Sequence, residues 1–107
     1  MLSVCIVSLN SCNLLRDCLR SLAENTRAVY EVIITDNAST DGTQAMLEEE
    51  FPEVELIQNP QNEGYTRPMN QALQHGRGRF LVQLNPDTVI LPGALDKLIA
   101  FLDENPQ

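Results

Sequence analysis

The sequence predicts a doubly wound α/β domain, in which a mostly parallel sheet of about four strands is covered by helices on both faces. Short apolar runs alternate along the chain with stretches in which apolar residues recur at helical spacing. The connections between strands are long enough to hold a helix, and such crossovers join parallel strands with a right-handed turn. With 107 residues, 43% hydrophobic and 21% charged, the chain supports one core and therefore one domain over residues 1–107.

The first half of the chain contains two strand–helix units. The first strand is predicted over residues 3–9, where Val and Ile are frequent, and the second over residues 31–35. The helix between them has apolar residues at helical spacing, namely Leu14, Leu15, Cys18, Leu19 and Leu22. After the second strand, Asp41 and Gly42 are expected in a turn that caps a second helix. The apolar side of this helix is predicted to consist of Met46, Leu47 and Phe51.

The second half repeats this pattern. A third strand over residues 53–58 alternates apolar and polar residues, as an edge strand does. The next helix is predicted to end at His75 with Gly76 as a glycine cap, and a fourth, buried strand "FLVQL" follows. Pro92 fits the first turn of a last helix. The apolar residues expected to face inward on these two helices are Met69, Ala72, Leu73, Leu95, Leu98, Ile99 and Leu102.

The charge and cysteine content of the chain disfavour several classes of partner and of metal site. Fifteen acidic and seven basic residues give a net charge of −8, and the basic residues are scattered, which disfavours nucleic acid and anionic membranes. The three cysteines have no CxxC spacing, so reduced thiols in a cytoplasmic protein are expected, with no zinc site. The start lacks the features of a signal peptide, and no run reaches the ~18 apolar residues that span a bilayer.

In doubly wound sheets, ligands bind outside the carboxyl ends of the strands. The residues predicted at these ends are Ser8, Leu9, Asn10, Asp36, Asn37, those at 59–64 and those at 85–87. Asp36 and Asp87 each follow a buried run directly, where a carboxylate must be hydrogen-bonded, paired or bound to a cation. Either aspartate alone can be a cap of the following helix or turn. Together, at one edge of a sheet, they indicate a ligand site.

Four short motifs carry a resemblance to a known family. They are "VSLN" at 7–10, "TDNASTDGT" at 35–43, "NEGY" at 62–65 with Asn70, and "LNPDT" at 84–88. In order and spacing, over essentially the whole chain, they resemble the nucleotide-sugar-binding part of family 2 glycosyltransferases with the GT-A fold. The sequence is most similar to rhamnosyltransferase-like members, in which the usual D-x-D motif is written N-P-D.

The resemblance implies that a UDP- or dTDP-sugar is the donor substrate. It implies a nucleotide site formed by Ser8, Leu9, Asn10, Asp36, Asn37, Asn62, Gly64 and Arg67. Asp36 would accept hydrogen bonds from the base or ribose, a task that suits an anionic acceptor. Gly64 has no side chain to obstruct the nucleotide. Arg67 stands where relatives have small residues, and it is either a ligand of the diphosphate or base or an ordinary exposed arginine at a helix start.

The resemblance also implies a divalent cation, Mg²⁺ or Mn²⁺, which Asp87 would hold against the two phosphates of the donor. Such a metal neutralises the leaving diphosphate while an acceptor hydroxyl attacks the sugar carbon. Asn85 replaces the first aspartate of the usual motif. It is therefore a neutral ligand that weakens metal binding, or a hydrogen-bonding partner of the sugar or ribose.

By the same resemblance, the chain is a fragment of a longer hexosyltransferase of polysaccharide biosynthesis. The activity implied is inverting transfer to a glycan or lipid-linked acceptor, in the cytoplasm and at the inner face of the membrane. No Asp or Glu follows a fifth strand, so no catalytic base is nominated, and it is expected in the remainder of the enzyme, C-terminal to this chain. Two alternatives remain open: a degenerate, non-catalytic transferase-like domain, which Asn85 favours, and a receiver-like signalling module, which expects an acidic pair where "SLN" stands.

Overall fold

The computed structural model describes residues 1–104, which form one parallel sheet and four helices. In chain order the elements are β1 (Leu2–Ser8), α1 (Cys12–Asn25), β2 (Tyr30–Asn37), α2 (Thr43–Glu50), β3 (Glu55–Asn59), α3 (Thr66–His75), β4 (Phe80–Leu84) and α4 (Ala94–Glu104). The strand order in the sheet is β3-β2-β1-β4, and all neighbours are parallel. The predicted doubly wound α/β class is confirmed.

The strand order reverses at β1. The chain moves outward from β1 through β2 to β3 and then crosses back to place β4 on the other side of β1. Because the crossovers are right-handed, the first two connecting helices lie on one face of the sheet and α3 lies on the other. The carboxyl ends of β1 and β4 therefore flank a topological switch point, where ligands bind in folds of this class.

Two apolar clusters hold the helices against the sheet. The larger one joins α1, α2 and α4 to side chains of β1 and β2, and it includes Ile6, Leu15, Leu22, Ile34, Leu47 and Leu95. The smaller one joins α3 to the opposite face through Cys5, Val7, Ile33, Met69 and Ala72. Leu14, one of the apolar residues at helical spacing on α1, is 54% exposed, and Leu98, expected to face inward on α4, is 38% exposed. Leu15 and Leu95 on the same helices are buried.

The strands differ in burial according to their position. Every residue of β1 is buried, as expected for a central strand with helices on both faces. The expectation that β4 is a buried strand is wrong, because Phe80, Val82 and Leu84 are only half-buried and Leu81 is 47% exposed. The reason is that α3 packs over β1 and β2 and leaves that face of β4 uncovered.

Two glycines lie where α3 connects to β4, close to the start of β1. Gly76 follows α3 as predicted, but its φ of −66° and ψ of 132° are extended and not left-handed. A Cβ at Gly76 would lie 2.5 Å from Leu81 Cδ2, the end of an exposed side chain that can move, and 3.2 Å from Ser3 Cβ. At Gly78 a Cβ would lie 2.7 Å from both the Met1 carbonyl oxygen and the Ser3 nitrogen. Further on, α4 begins at Ala94, so Pro92 precedes the helix and does not lie in its first turn.

Three free cysteines lie on β1 and α1. Burial raises the pKa of the Cys5 and Cys18 thiols to about 11, with a smaller contribution from the negative charges of Glu31 and Asp87 respectively. Both thiols are therefore protonated near neutral pH. No helix within residues 1–104 has the length and apolar character needed to cross a membrane.

Candidate functional site

The carboxylate of Asp36 lies at the end of β2, beside the end of β1, and is completely buried. Its Oδ1 accepts hydrogen bonds from Ser8 Oγ at 2.7 Å and Ser39 Oγ at 2.6 Å. Its Oδ2 accepts from the Ser39 backbone nitrogen at 2.9 Å and from Gln44 Nε2 at 3.0 Å. These four donors fill the acceptor capacity of a carboxylate. A ligand can therefore reach Asp36 only by replacing one of them.

The loops that follow β1 and β2 are joined to each other. Asn10 has a left-handed backbone, with φ of +50°, and its Oδ1 accepts from the Thr40 nitrogen at 2.7 Å. Its own nitrogen donates to Ser39 Oγ at 2.9 Å. Leu9, beside it, is 40% exposed. Ser39, absent from the predicted site, thus connects Asn10 to Asp36; its position three residues after an aspartate is a turn signal that sequence inspection can detect.

Asp41 connects the beginnings of two helices. Its carboxylate accepts from the Thr43 nitrogen at 3.2 Å and from the Cys12 nitrogen at 3.0 Å. Desolvation alone would raise the pKa of Asp41, but hydrogen bonds from Thr43 and Cys12 hold it below the ordinary 3.8. The predicted cap at the start of α2 is confirmed, and the same side chain also caps α1, which the sequence did not indicate.

The loop before α3 is held against the end of β2 by Asn37. The Asn37 side chain is buried, and its Nδ2 donates to the Gly64 carbonyl oxygen at 2.7 Å. Gly64 has a φ of +80°, and its nitrogen donates to Asn62 Oδ1 at 2.9 Å. Asn62 and Gly64 are themselves exposed. The structure therefore brings three predicted residues together and places Asn37 behind the other two.

Arg67 lies in the first turn of α3. Its side chain is 74% exposed and forms an ion pair with Glu63, with 3.3 Å between Nη1 and Oε1. This pair joins the loop before α3 to the first turn of the helix at the protein surface, so it holds the guanidinium only weakly. The side chain can leave Glu63 at little cost.

The segment after β4 carries Asn85 and Asp87 at the surface, in a turn closed by a 3.0 Å hydrogen bond from the Thr88 nitrogen to the Asn85 carbonyl oxygen. Helix α1 holds the far end of this segment through the backbone of Ile90. The Ile90 nitrogen donates to Ser21 Oγ at 2.8 Å, and its carbonyl oxygen accepts from Asn25 Nδ2 at 2.7 Å.

The oxygen atoms of this turn suit a hard cation that takes most of its ligands from outside the protein. Asp87 and Asn85 both offer oxygen atoms, which Mg²⁺ and Mn²⁺ prefer. Within residues 1–104, no group of three or more His, Cys, Asp or Glu side chains is arranged to hold a metal. A cation at Asp87 would therefore need oxygen ligands from a bound phosphate and from water.

The carboxyl ends of β1, β2 and β4 thus bring hydroxyl, amide and carboxylate groups together at the switch point of a doubly wound sheet, the place where α/β domains of this class bind ligands. The chain belongs to glycosyltransferase family 2, because the model of the family described as "Glycosyl transferase family 2" matches residues 3–107. The predicted membership of this family is thereby confirmed.

Individual relatives agree with this assignment. The putative glycosyltransferase EpsE of Bacillus subtilis is 30% identical over 100 residues, which cover 83% of this chain. TarS of Staphylococcus aureus is a poly(ribitol-phosphate) β-N-acetylglucosaminyltransferase. The crystal structure of its residues 1–349 in complex with UDP-GlcNAc superposes on this chain with a TM-score of 0.87 and 30% identity over 96% of the chain. The mannosyltransferase PcManGT of Pyrobaculum calidifontis, in complex with GDP-Man and Mn²⁺, gives a TM-score of 0.84 and 25% identity over 94% of this chain.

This chain matches only part of each relative. It spans 36% of EpsE, 31% of the TarS fragment and 32% of PcManGT. More than half of each of these relatives therefore has no counterpart in this chain.

Proposed function

We propose that this chain binds the nucleotide-diphosphate sugar donor, a UDP- or dTDP-sugar, of a glycosyltransferase. The observation that carries the proposal is the placement of Asp36 at the end of β2 and of Asp87 after β4, on either side of the central strand β1. The complex of TarS with UDP-GlcNAc supports it, since that fragment shares the fold over 96% of this chain.

In this proposal the nucleotide lies across the carboxyl ends of β1 and β2. Leu9 and Asn10 line it on one side, with the buried Ser8 behind them at Asp36, and Asn62 and Gly64 line it on the other. Asp36 accepts a hydrogen bond from the base or ribose after Gln44 or Ser39 gives up its place on the carboxylate. The weak ion pair of Arg67 with Glu63 supports a role for this arginine at the diphosphate, because little is lost when it turns toward an anion.

Asp87 is proposed to hold Mg²⁺ or Mn²⁺ together with the donor diphosphate, and Asn85 to hydrogen-bond the sugar or to act as a neutral ligand. The Mn²⁺ bound with GDP-Man in PcManGT supports this assignment. A divalent cation in this position supplies positive charge that stabilises the leaving diphosphate. The net charge of −8 agrees with donor binding through a cation instead of a basic surface.

The full reaction is proposed as inverting hexosyl transfer to a glycan or lipid-linked acceptor in polysaccharide biosynthesis, in the cytoplasm at the inner face of the membrane. TarS is a poly(ribitol-phosphate) β-N-acetylglucosaminyltransferase, and its activity supports a polymeric acceptor. The catalytic base would come from a region outside this chain. A degenerate domain that binds donor without transfer is the second candidate, and the specific observation in its favour is Asn85 in place of an aspartate.

Calorimetric titration with UDP and dTDP, with and without Mn²⁺, tests the proposal. The wild type should bind at least one nucleotide more tightly with Mn²⁺. Asp87→Ala should lose that dependence on metal, while Asp17→Ala, an exposed carboxylate on α1, should retain it. Absence of nucleotide binding by the wild type would reject the donor site, and an unchanged metal effect in Asp87→Ala would reject the metal ligand.

A further inference from the structure

Three side-chain amides form a chain of hydrogen bonds beneath the loop at 62–64. Asn37 on β2 and Asn59 on β3 are register partners, and they are 3% and 6% exposed. Asn59 Nδ2 donates to Asn37 Oδ1 at 3.3 Å and to Gln71 Oε1 on α3 at 3.0 Å. The amides thus connect β2, β3 and α3 at the edge of the sheet that carries the proposed nucleotide site.

The direction of each amide in this chain is determined by the loop. The Gly64 carbonyl oxygen only accepts, so Asn37 must present Nδ2 to it, which leaves Oδ1 as the acceptor of this side chain. The Glu63 nitrogen donates to the same Oδ1 at 3.4 Å. Asn59 must then be a donor, which only its Nδ2 can supply. Asn59 is therefore connected through Asn37 to the backbone of the loop.

We infer that Asn37, Asn59 and Gln71 are positioning residues that fix the loop at 62–64 for the donor nucleotide. None of them needs to contact the nucleotide, and Asn37 acts from behind the loop. The inference rests on the proposed function for the identity of the ligand. The buried hydrogen bond from Asn37 restrains Gly64, whose backbone has the conformational freedom of glycine, in one conformation.

The test replaces Asn59 by aspartate and measures UDP binding by calorimetry in the presence of Mn²⁺. A carboxylate at this position can donate no hydrogen bond to Asn37 or Gln71, so the dissociation constant should rise roughly tenfold, the effect of losing about one hydrogen bond. Gln74→Glu makes the same amide-to-acid change on the exposed side of α3 and should leave the dissociation constant within about twofold.

A double-mutant cycle separates positioning from a general loss of stability. In an Asn37→Ala background, Asn59→Asp should have little further effect on UDP binding, because the connection to Gly64 is already lost. Equal effects of Asn59→Asp in both backgrounds would overturn the inference. If Asn59→Asp does not fold, Gln71→Leu at the half-buried end of the chain of amides takes its place, with a rise of about threefold expected.

Hydrogen exchange of the Glu63 and Gly64 amides provides a readout that needs no nucleotide. Both amides should exchange faster in Asn59→Asp than in the wild type, while those of β1 should be unchanged. Unchanged exchange in the loop would overturn the positioning role even where UDP binds. Faster exchange in a protein that does not bind UDP would support the positioning of the loop and reject the proposed function alone.

Discussion

Ser8 and Asp36 are register partners on neighbouring parallel strands, and the Ser8 hydroxyl donates a 2.7 Å hydrogen bond to Asp36 Oδ1. Both side chains are completely buried. A buried carboxylate is stable only where it is fully hydrogen-bonded, and here Ser8, Ser39 and Gln44 provide the donors. Asp36 therefore organises the ends of β1 and β2 in addition to its proposed role toward the nucleotide.

Asp36→Asn should lower the free energy of unfolding by about 1–3 kcal/mol, since an amide keeps the shape but loses the charge that strengthens four hydrogen bonds. Urea unfolding followed by circular dichroism measures the change. Asp17→Asn, on the exposed side of α1, should change the stability by less than about 0.5 kcal/mol. Equal stability of the two variants would show that the Asp36 carboxylate has no structural role.

Asn25→Asp should destabilise the segment after β4, because a carboxylate would face the Ile90 carbonyl oxygen that now accepts from Asn25 Nδ2. The expected loss is about 1–3 kcal/mol in the free energy of unfolding. Asn13→Asp is the matched control on the same helix. Asn13 is exposed, and its side-chain oxygen already accepts a hydrogen bond from Arg16 Nη1. It also lies near the helix N-terminus, where a negative charge is favourable. A loss in Asn13→Asp as large as that in Asn25→Asp would contradict this explanation.

Glu31→Gln should remove part of the pH dependence of stability. Glu31 lies at the opposite edge of the sheet, where Ser3 Oγ and the Arg77 nitrogen each donate to Oε2 at 2.6 Å. Burial alone would raise the pKa of Glu31, but these hydrogen bonds and the Arg77 charge hold it below the ordinary 4.5. A lowered carboxylate pKa stabilises the folded protein above the ordinary pKa, and this stabilisation is lost as the pH falls through the folded value.

The difference in unfolding free energy between the wild type and Glu31→Gln should therefore be greatest near neutral pH and should shrink below about pH 4.5. Urea unfolding at a series of pH values measures it. Glu24→Gln, an exposed carboxylate on α1, serves as the control for a general loss of negative charge. A difference that is the same at every pH would contradict the hydrogen-bonded state of Glu31.

The sheet, its helices and the edge at which the site lies could be predicted because each depends on local patterns. Apolar periodicity locates the elements, and parallel crossovers bring the carboxyl ends of the strands together. The exposure of Leu81 could not be predicted, since it depends on which strands α3 covers. Similarly, the sequence shows two glycines in the α3–β4 connection, but not why they are there. Only the structure shows that a Cβ at these positions would come close to Leu81, Met1 and Ser3.

At the site, the sequence by itself determined the family and the positions of Asp36 and Asp87, because four motifs in order specify both. Tertiary structure alone decided which polar atoms meet. Asp36 is surrounded by donors from three other residues, and Asn37 faces the loop at 62–64 through a connection that continues to Asn59 and Gln71. Hydrogen bonds act over about 3 Å between residues far apart in sequence, so their partners depend on register and packing that no local pattern contains.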